Sequence, residues 1–235
     1  SYMKDLGMDH VILQWIVDFS PSEKAVYYNS PLYNSSTGYA NRNNQDTLQN
    51  VLTAGENKGI DVWVGLGSNE EWWDDSTNQT WLNSESQANK NVIKEIWDSP
   101  VGYKNKSSFK GWYNSWEIDN DTFKAQADQL KLRGALKTIV DYAHSYTNLP
   151  IMTSPYVGGR STALTPDGWK TMWSYLLDSA NGANFDVVAP QDNFGNVTTT
   201  YLAAMKQAVD TNPNCELWSN VETYNPDVGC AEPTI

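Results

Sequence analysis

The sequence predicts a parallel α/β fold, the (β/α)₈ or TIM barrel, as one domain over residues 1–235, and three features carry that expectation. Short apolar or β-branched runs recur along the chain, apolar residues at helical spacing lie between them, and each run ends in polar or aromatic residues. An open doubly wound sheet is the competing architecture. It fits less well, because the first run continues as QWIVDFSPSEK, without the glycine-rich phosphate loop that usually follows the first strand there.

The runs are HVILQW (His10–Trp15), IDVWVGLG (Ile60–Gly67), FKGWYNSWEID (Phe109–Asp119), LPIMTSPYV (Leu149–Val157), FDVVAPQD (Phe185–Asp192) and CELWSNVETY (Cys215–Tyr224). Each reads as a strand buried on both faces, as parallel strands are. Leu48, Val51 and Leu52 mark a helix before the second run, and Val92, Ile93, Ile96 and Trp97 one before the third. A long helix spanning Phe123, Leu130, Leu132, Leu136, Ile139, Val140 and Tyr142 precedes the fourth. Thr165 and Pro166 are an N-cap and first-turn pair for a helix carrying Trp169, Met172, Trp173 and Leu176, and Tyr201, Met205, Ala208 and Val209 mark the last. Six strands are visible where a barrel has eight. The opening SYMKDLG reads as a helix end closed by Gly7, so one further strand is expected at each end of the chain.

Composition narrows the chemistry. The formal net charge of -12 opposes nucleic-acid binding, and no apolar run reaches the roughly 20 residues of a membrane span. Eleven Trp and thirteen Tyr, most of them expected in the core, leave enough rings to stack on sugar faces, so a carbohydrate partner is expected. The protein is also expected to be secreted or at the cell surface, and a monomer. Five Asn-x-Ser/Thr sequons, at Asn34, Asn78, Asn105, Asn120 and Asn196, are compatible with secretion. Cys215 and Cys230 allow one disulfide. With His10 and His144 as the only histidines, zinc sets and Ser-His-Asp triads lack members, and neither a metal nor a cofactor is expected.

The strand ends supply candidates: Gln14 and Trp15, Glu117 and Asp119, Tyr156, Gln191 and Asp192, Glu222 and Tyr224. With one strand missing at the start, Glu117 ends strand four and Glu222 strand seven, on opposite sides of a barrel mouth. Glycoside hydrolysis needs such a pair, one carboxylic acid to protonate the leaving oxygen and one carboxylate to attack the anomeric carbon or activate water. Glu117 is assigned acid/base and Glu222 nucleophile, with Asp119 on the same strand parity as Glu117 as a substitute or hydroxyl ligand. Trp116, Trp72 and Trp73 are added as substrate contacts, the last two in the polar insert NEEWWDDSTNQTWLN. Tyr27, Tyr28, Tyr33 and Tyr39 of the early loop are expected to form another wall of a cleft. Glu70, Glu71, Asp74 and Asp75 read as a solvated face rather than a cation site.

The stretches LGMDHVILQW, GWYNSWEIDN, SPYVGG, APQDNFG and NVETY, in that order, resemble successive strand-end motifs of a family of (β/α)₈ proteins known as domain-of-unknown-function 4434 and regarded as glycoside-hydrolase-like. The resemblance implies a barrel whose strand-four and strand-seven acids are Glu117 and Glu222, as in retaining glycosidases. Those enzymes usually have Asn before the strand-four Glu, where this chain has Trp116. Two other classes compete with hydrolysis: a non-catalytic carbohydrate-binding barrel, and an interaction protein whose barrel another chain completes.

Overall fold

All six predicted runs contain a strand, and every strand is shorter than its run. A computed structural model describes residues 2–42, 45–158, 160–191 and 199–220. In chain order it holds α1 (Tyr2–Asp5), β1 (His10–Leu13), β2 (Val17–Asp18), β3 (Ala25–Val26), β4 (Ala40–Asn41), α2 (Thr47–Lys58), β5 (Asp61–Gly65), β6 (Gly67–Ser68), α3 (Trp72–Asp75) and α4 (Gln79–Asp98). Then come β7 (Phe109–Asn114), α5 (Gln126–Thr147), β8 (Ile151–Thr153), α6 (Pro166–Leu176), β9 (Val187–Val188), α7 (Thr199–Val209) and β10 (Glu216–Leu217). This is a mixed α/β protein with parallel strands and intervening helices. The chain divides into two compact units, Ser1–Ser115 with Thr138–Met152, and Trp116–Lys137 with Thr153–Ile235.

In the first unit β5 lies between β1 and β7, both parallel to it, with His10 opposite Asp61 and Val64 opposite Trp112. The Trp112 amide donates to Pro150 O at 2.8 Å, which brings in the start of β8. Gly111 is required by packing: a Cβ there would stand 2.4 Å from the Trp63 ring and 2.9 Å from Pro150 O. Leu48 and Leu52 of α2, Val92, Ile93 and Ile96 of α4, and Ile139 and Val140 of α5 are buried with Val62, Val64 and Trp112. Asp46 caps α2 by accepting the Gln49 amide at 2.8 Å, and Gly59 closes it at φ 63°.

Three expectations need correction in this unit. β1 is not buried on both faces: its residues alternate exposed and half-buried, and Ile12 is 39% exposed. Among the described residues its strand neighbour is β5 alone. The early tyrosine-rich segment, read as a loop, contains two short strands, for β3 and β4 pair in parallel inside a small sheet ordered β4-β3-β2-β6. The polar insert after β5 is largely helical. Asn78 caps α4 by accepting the Thr80 and Trp81 amides, so a stretch read as loop is a helix start.

In the second unit the Ala189 amide donates to Thr153 O at 2.9 Å, and β9 pairs in parallel with β10, Val187 opposite Glu216. Thr165 caps α6 by accepting the Gly168 amide, with Pro166 in the first turn as expected. Trp169 and Trp173 are buried edge to face, 5.6 Å between centroids, and α6 packs on α7. Phe123 is buried in the turn before α5 rather than in the helix, and Leu130 on α5 is 55% exposed. No described helix is long and apolar enough to cross a membrane.

Candidate functional site

The third run stops pairing as a strand at Asn114, and the chain then turns. The Ile118 amide donates to Trp116 O at 3.1 Å, a three-residue turn with Glu117 at its apex. Trp116 and Ile118 are buried on either side and Glu117 is half-buried. The strand parity assumed for Glu117 and Asp119 therefore does not hold, because the turn intervenes between them. Pairing resumes at Asp119, which bridges to Tyr156.

Asp119 is spent on this loop. It is 7% exposed, and its Oδ1 accepts the Asp121 amide at 2.7 Å and the Thr122 amide at 2.6 Å. A carboxylate holding two backbone donors is an anchor of local structure. Asn120 is fully buried, donating from Nδ2 to Gly158 O at 3.2 Å and accepting the Gly158 amide at 2.9 Å. Asp121 takes Lys124 Nζ, Thr162 Oγ1 and Arg160 Nη1, and these charges and hydroxyls hold its carboxyl below the usual range, Lys124 most strongly.

The ends of the following strands continue the same pattern. The Tyr156 amide donates to Ile118 O at 2.9 Å, the Gln191 amide to Pro155 O at 2.9 Å and the Asn220 amide to Pro190 O at 3.2 Å. Asp119, Tyr156, Gln191 and Asn220 thus occupy successive places along one row of strand ends. Beneath it Ser154, buried, donates to Ala189 O at 2.8 Å and accepts from Asn220 Nδ2 at 2.8 Å, while Gln191 Nε2 donates to Ser154 O at 3.2 Å. Ser154 and Asn220 were not legible as site residues. Their signal is positional, one residue before the proline of SPYV and two before the glutamate of NVET.

Glu222, Tyr224 and Asp192 lie outside the described residues, as does Cys230, the expected partner of Cys215. Burial, with Asp186 and Glu216 nearby, pushes the Cys215 thiol up to about 12.

The remaining candidates belong to the first unit. Gln14 is exposed and its carbonyl accepts Ser115 Oγ at 2.6 Å; Trp15 is 41% exposed. Trp72 is 4% exposed and tilted against Trp81, so its faces are packed away, whereas Trp73, its neighbour on α3, is 62% exposed. Of the acids beside them, Glu70 accepts Ser22 Oγ and Glu71 accepts Trp81 Nε1. Among the described residues no three His, Cys, Asp or Glu side chains gather as a metal site would require.

A carboxyl that sequence reasoning passed over lies in the same unit. Glu85 on α4 is 7% exposed; its Oε1 accepts Asn69 Nδ2 at 3.0 Å and its Oε2 has no partner among the described residues. Burial lifts its pKa to about 7, opposed by Asn69 and aided by Glu71. Asn89 ties the knot to β6, accepting the Gly67 amide at 2.7 Å and donating to Glu85 O at 2.9 Å.

Fold and strand-end geometry place the chain in the broad class of α/β proteins with parallel strands and polar C-terminal strand ends. The chain belongs to the DUF4434 family, a domain of unknown function, whose model matches residues 1–232. No curated protein matches it. Among solved structures it is similar to that of a putative alpha-L-fucosidase from Bacteroides thetaiotaomicron VPI-5482, at 23% identity and a TM-score of 0.77 over 96% of this chain. The chain spans 66% of that protein's length.

Proposed function

We propose that this chain is a glycoside hydrolase, built on a (β/α)₈ barrel and using Glu117 as acid/base and Glu222 as nucleophile. The observation that carries the reading is the turn at Glu117, which holds one half-buried carboxyl between two buried residues, next to a row of strand ends rich in hydroxyl and amide groups. A general acid has to be held in a fixed place against the leaving oxygen, and a turn braced by Trp116 and Ile118 does this better than a free loop. Asp119 is a poor substitute, since two backbone amides occupy one of its oxygens.

In the reaction, protonated Glu117 gives its proton to the glycosidic oxygen while Glu222 attacks the anomeric carbon. The leaving sugar departs, and water deprotonated by Glu117 then releases the second sugar with retained configuration. Tyr156 and Gln191 of the same row are the hydroxyl-binding groups in this reading. The substrate class is neutral polysaccharide or oligosaccharide, met outside the cell by a monomer. The name of the similar solved structure puts fucosides on the substrate panel.

The test is sugar release from a panel of polysaccharides, oligosaccharides and aryl glycosides by the wild type and its Glu117→Gln and Glu222→Gln variants. Loss of at least about a thousandfold in both, equivalent to about 4 kcal/mol of barrier, supports the assignment. Full activity in either variant removes that residue from the chemistry. Binding without turnover on every substrate favours the non-catalytic carbohydrate-binding reading.

A further inference from the structure

The first unit contains a cavity of about 690 Å³ bounded by Tyr28, Tyr33 and Tyr39, the tyrosines expected to wall a cleft, with Asn29, Asn34 and Asn41, and none of these residues takes part in the proposed chemistry. Its volume is within the ~300–1,000 Å³ usual for small-ligand sites. The remaining lining is Val26, Ser30, Pro31, Ser35 and Ala40, so among the described residues no side chain in the wall carries a formal charge.

The wall is built rigidly. Glu95 of α4 is committed behind it, accepting from Tyr28 Oη, from Ser30 Oγ at 2.8 Å and from the Leu32 amide at 2.8 Å. Asn34 caps the turn Ser35–Thr37 in a reciprocal box, taking the Ser36 amide while Thr37 Oγ1 accepts the Asn34 amide, and Gly38 closes it at φ 86°. Tyr33 and Tyr39 meet at 5.0 Å, and Phe19 backs both at 5.5 and 6.5 Å. Burial raises the pKa of both phenols, which keeps them neutral, and the Tyr33 hydroxyl donates to Ala88 O at 3.4 Å. Lys24 Nζ stands 5.9 Å from the Tyr39 centroid, and Arg42 pairs with Glu23 at 2.5 Å; neither lines the cavity. Asn41 Oδ1 is buried and accepts nothing from the described residues, an acceptor whose isolation costs about 1–3 kcal/mol.

Aromatic faces beside amides and hydroxyls, with no charge to pair, fit a ligand with an apolar ring face and many hydroxyls. An anion finds no counter-charge in this wall and meets a chain of net charge -12. We propose that this cavity is an accessory subsite for one neutral sugar unit, with Tyr33 and Tyr39 as the ring platform and the Asn29, Asn34 and Asn41 amides of the lining available to its hydroxyls. The inference rests on the carbohydrate reading above.

The experiment follows the ring signals of tyrosine-labelled protein by NMR during titration with neutral oligosaccharides, and with uronic-acid oligosaccharides as the charged control. Tyr33 and Tyr39 signals, assigned through the Tyr33→Phe and Tyr39→Phe variants, should shift with at least one neutral ligand and stay still with the charged ones. Ser35→Trp, at an exposed position in the lining, fills the cavity without removing a buried contact and should weaken that titration at least tenfold. Its melting temperature and its turnover of a small aryl glycoside should match the wild type. Titrating Glu117→Gln keeps the subsite separate from catalysis: shifted rings with unchanged turnover in that variant would sink the catalytic reading and spare the subsite. Unmoved rings across the neutral panel, or equal binding by Ser35→Trp, overturns the subsite.

Discussion

Asn120 holds Gly158 by both of its backbone groups, donating to the carbonyl and accepting from the amide, from a position with no solvent exposure. Through this clamp the loop after Glu117 is fixed to the loop after Tyr156. Asn120→Ala leaves both backbone groups without their partner and should lower stability by about 2–3 kcal/mol. Asn120→Asp keeps the acceptor and loses the donor, and should also destabilise. Urea denaturation of the two variants checks this, and a change below about 0.5 kcal/mol in both would mean that water replaces the clamp.

The same burial separates the sequons. Asn120 has no room for a glycan in the folded protein, while Asn105, in a 3₁₀ turn, is exposed. Expressed through a eukaryotic secretory pathway, the folded protein should carry sugar at Asn105 and none at Asn120, as read by mass spectrometry of glycopeptides.

Glu85 should make stability depend on pH. Its folded-state pKa of about 7 lies above the ordinary glutamate value of 4.5, so an unfolded chain releases this proton first as pH rises. The contribution of the protonated carboxyl is complete below about pH 4.5, falls as pH climbs to about 7, and levels off above that. The full change is about 3 kcal/mol. Glu85→Gln should abolish this component, so the wild type should lose stability relative to the variant between pH 4.5 and 7.5. Parallel denaturation curves at both pH values would show that Glu85 ionises normally.

Trp72 and Trp73 are adjacent but should behave oppositely. Trp72→Ala empties a buried site and should cost about 3–5 kcal/mol, whereas Trp73→Ala at an exposed position should change stability by less than about 0.5 kcal/mol. If Trp73 is a sugar platform, its loss raises KM for long substrates and leaves kcat on a small aryl glycoside unchanged. Thermal melts and chain-length-dependent kinetics separate the two effects.

The sequence by itself determined the order and type of the main elements, since apolar runs such as IDVWVG and helical spacing such as Val92, Ile93 and Ile96 report burial periodicity directly. It also determined the Thr165–Pro166 helix start, because capping is local chemistry. Only the tertiary structure decided the rest. Which of two adjacent tryptophans is buried depends on what packs against α3, here Trp81 on Trp72. That β1 is exposed depends on its neighbours and not on its own apolar residues. A three-residue turn at Glu117 is set by one backbone hydrogen bond, which leaves no mark in a run of apolar residues. The Ser154–Asn220 contact joins residues 66 apart in sequence, and Glu85 owes its raised pKa to burial that no local pattern encodes and that its hydrogen bond from Asn69 only partly offsets. Periodicity and caps act within one element, whereas hydrogen-bond partners and desolvation come from whichever elements the fold brings alongside.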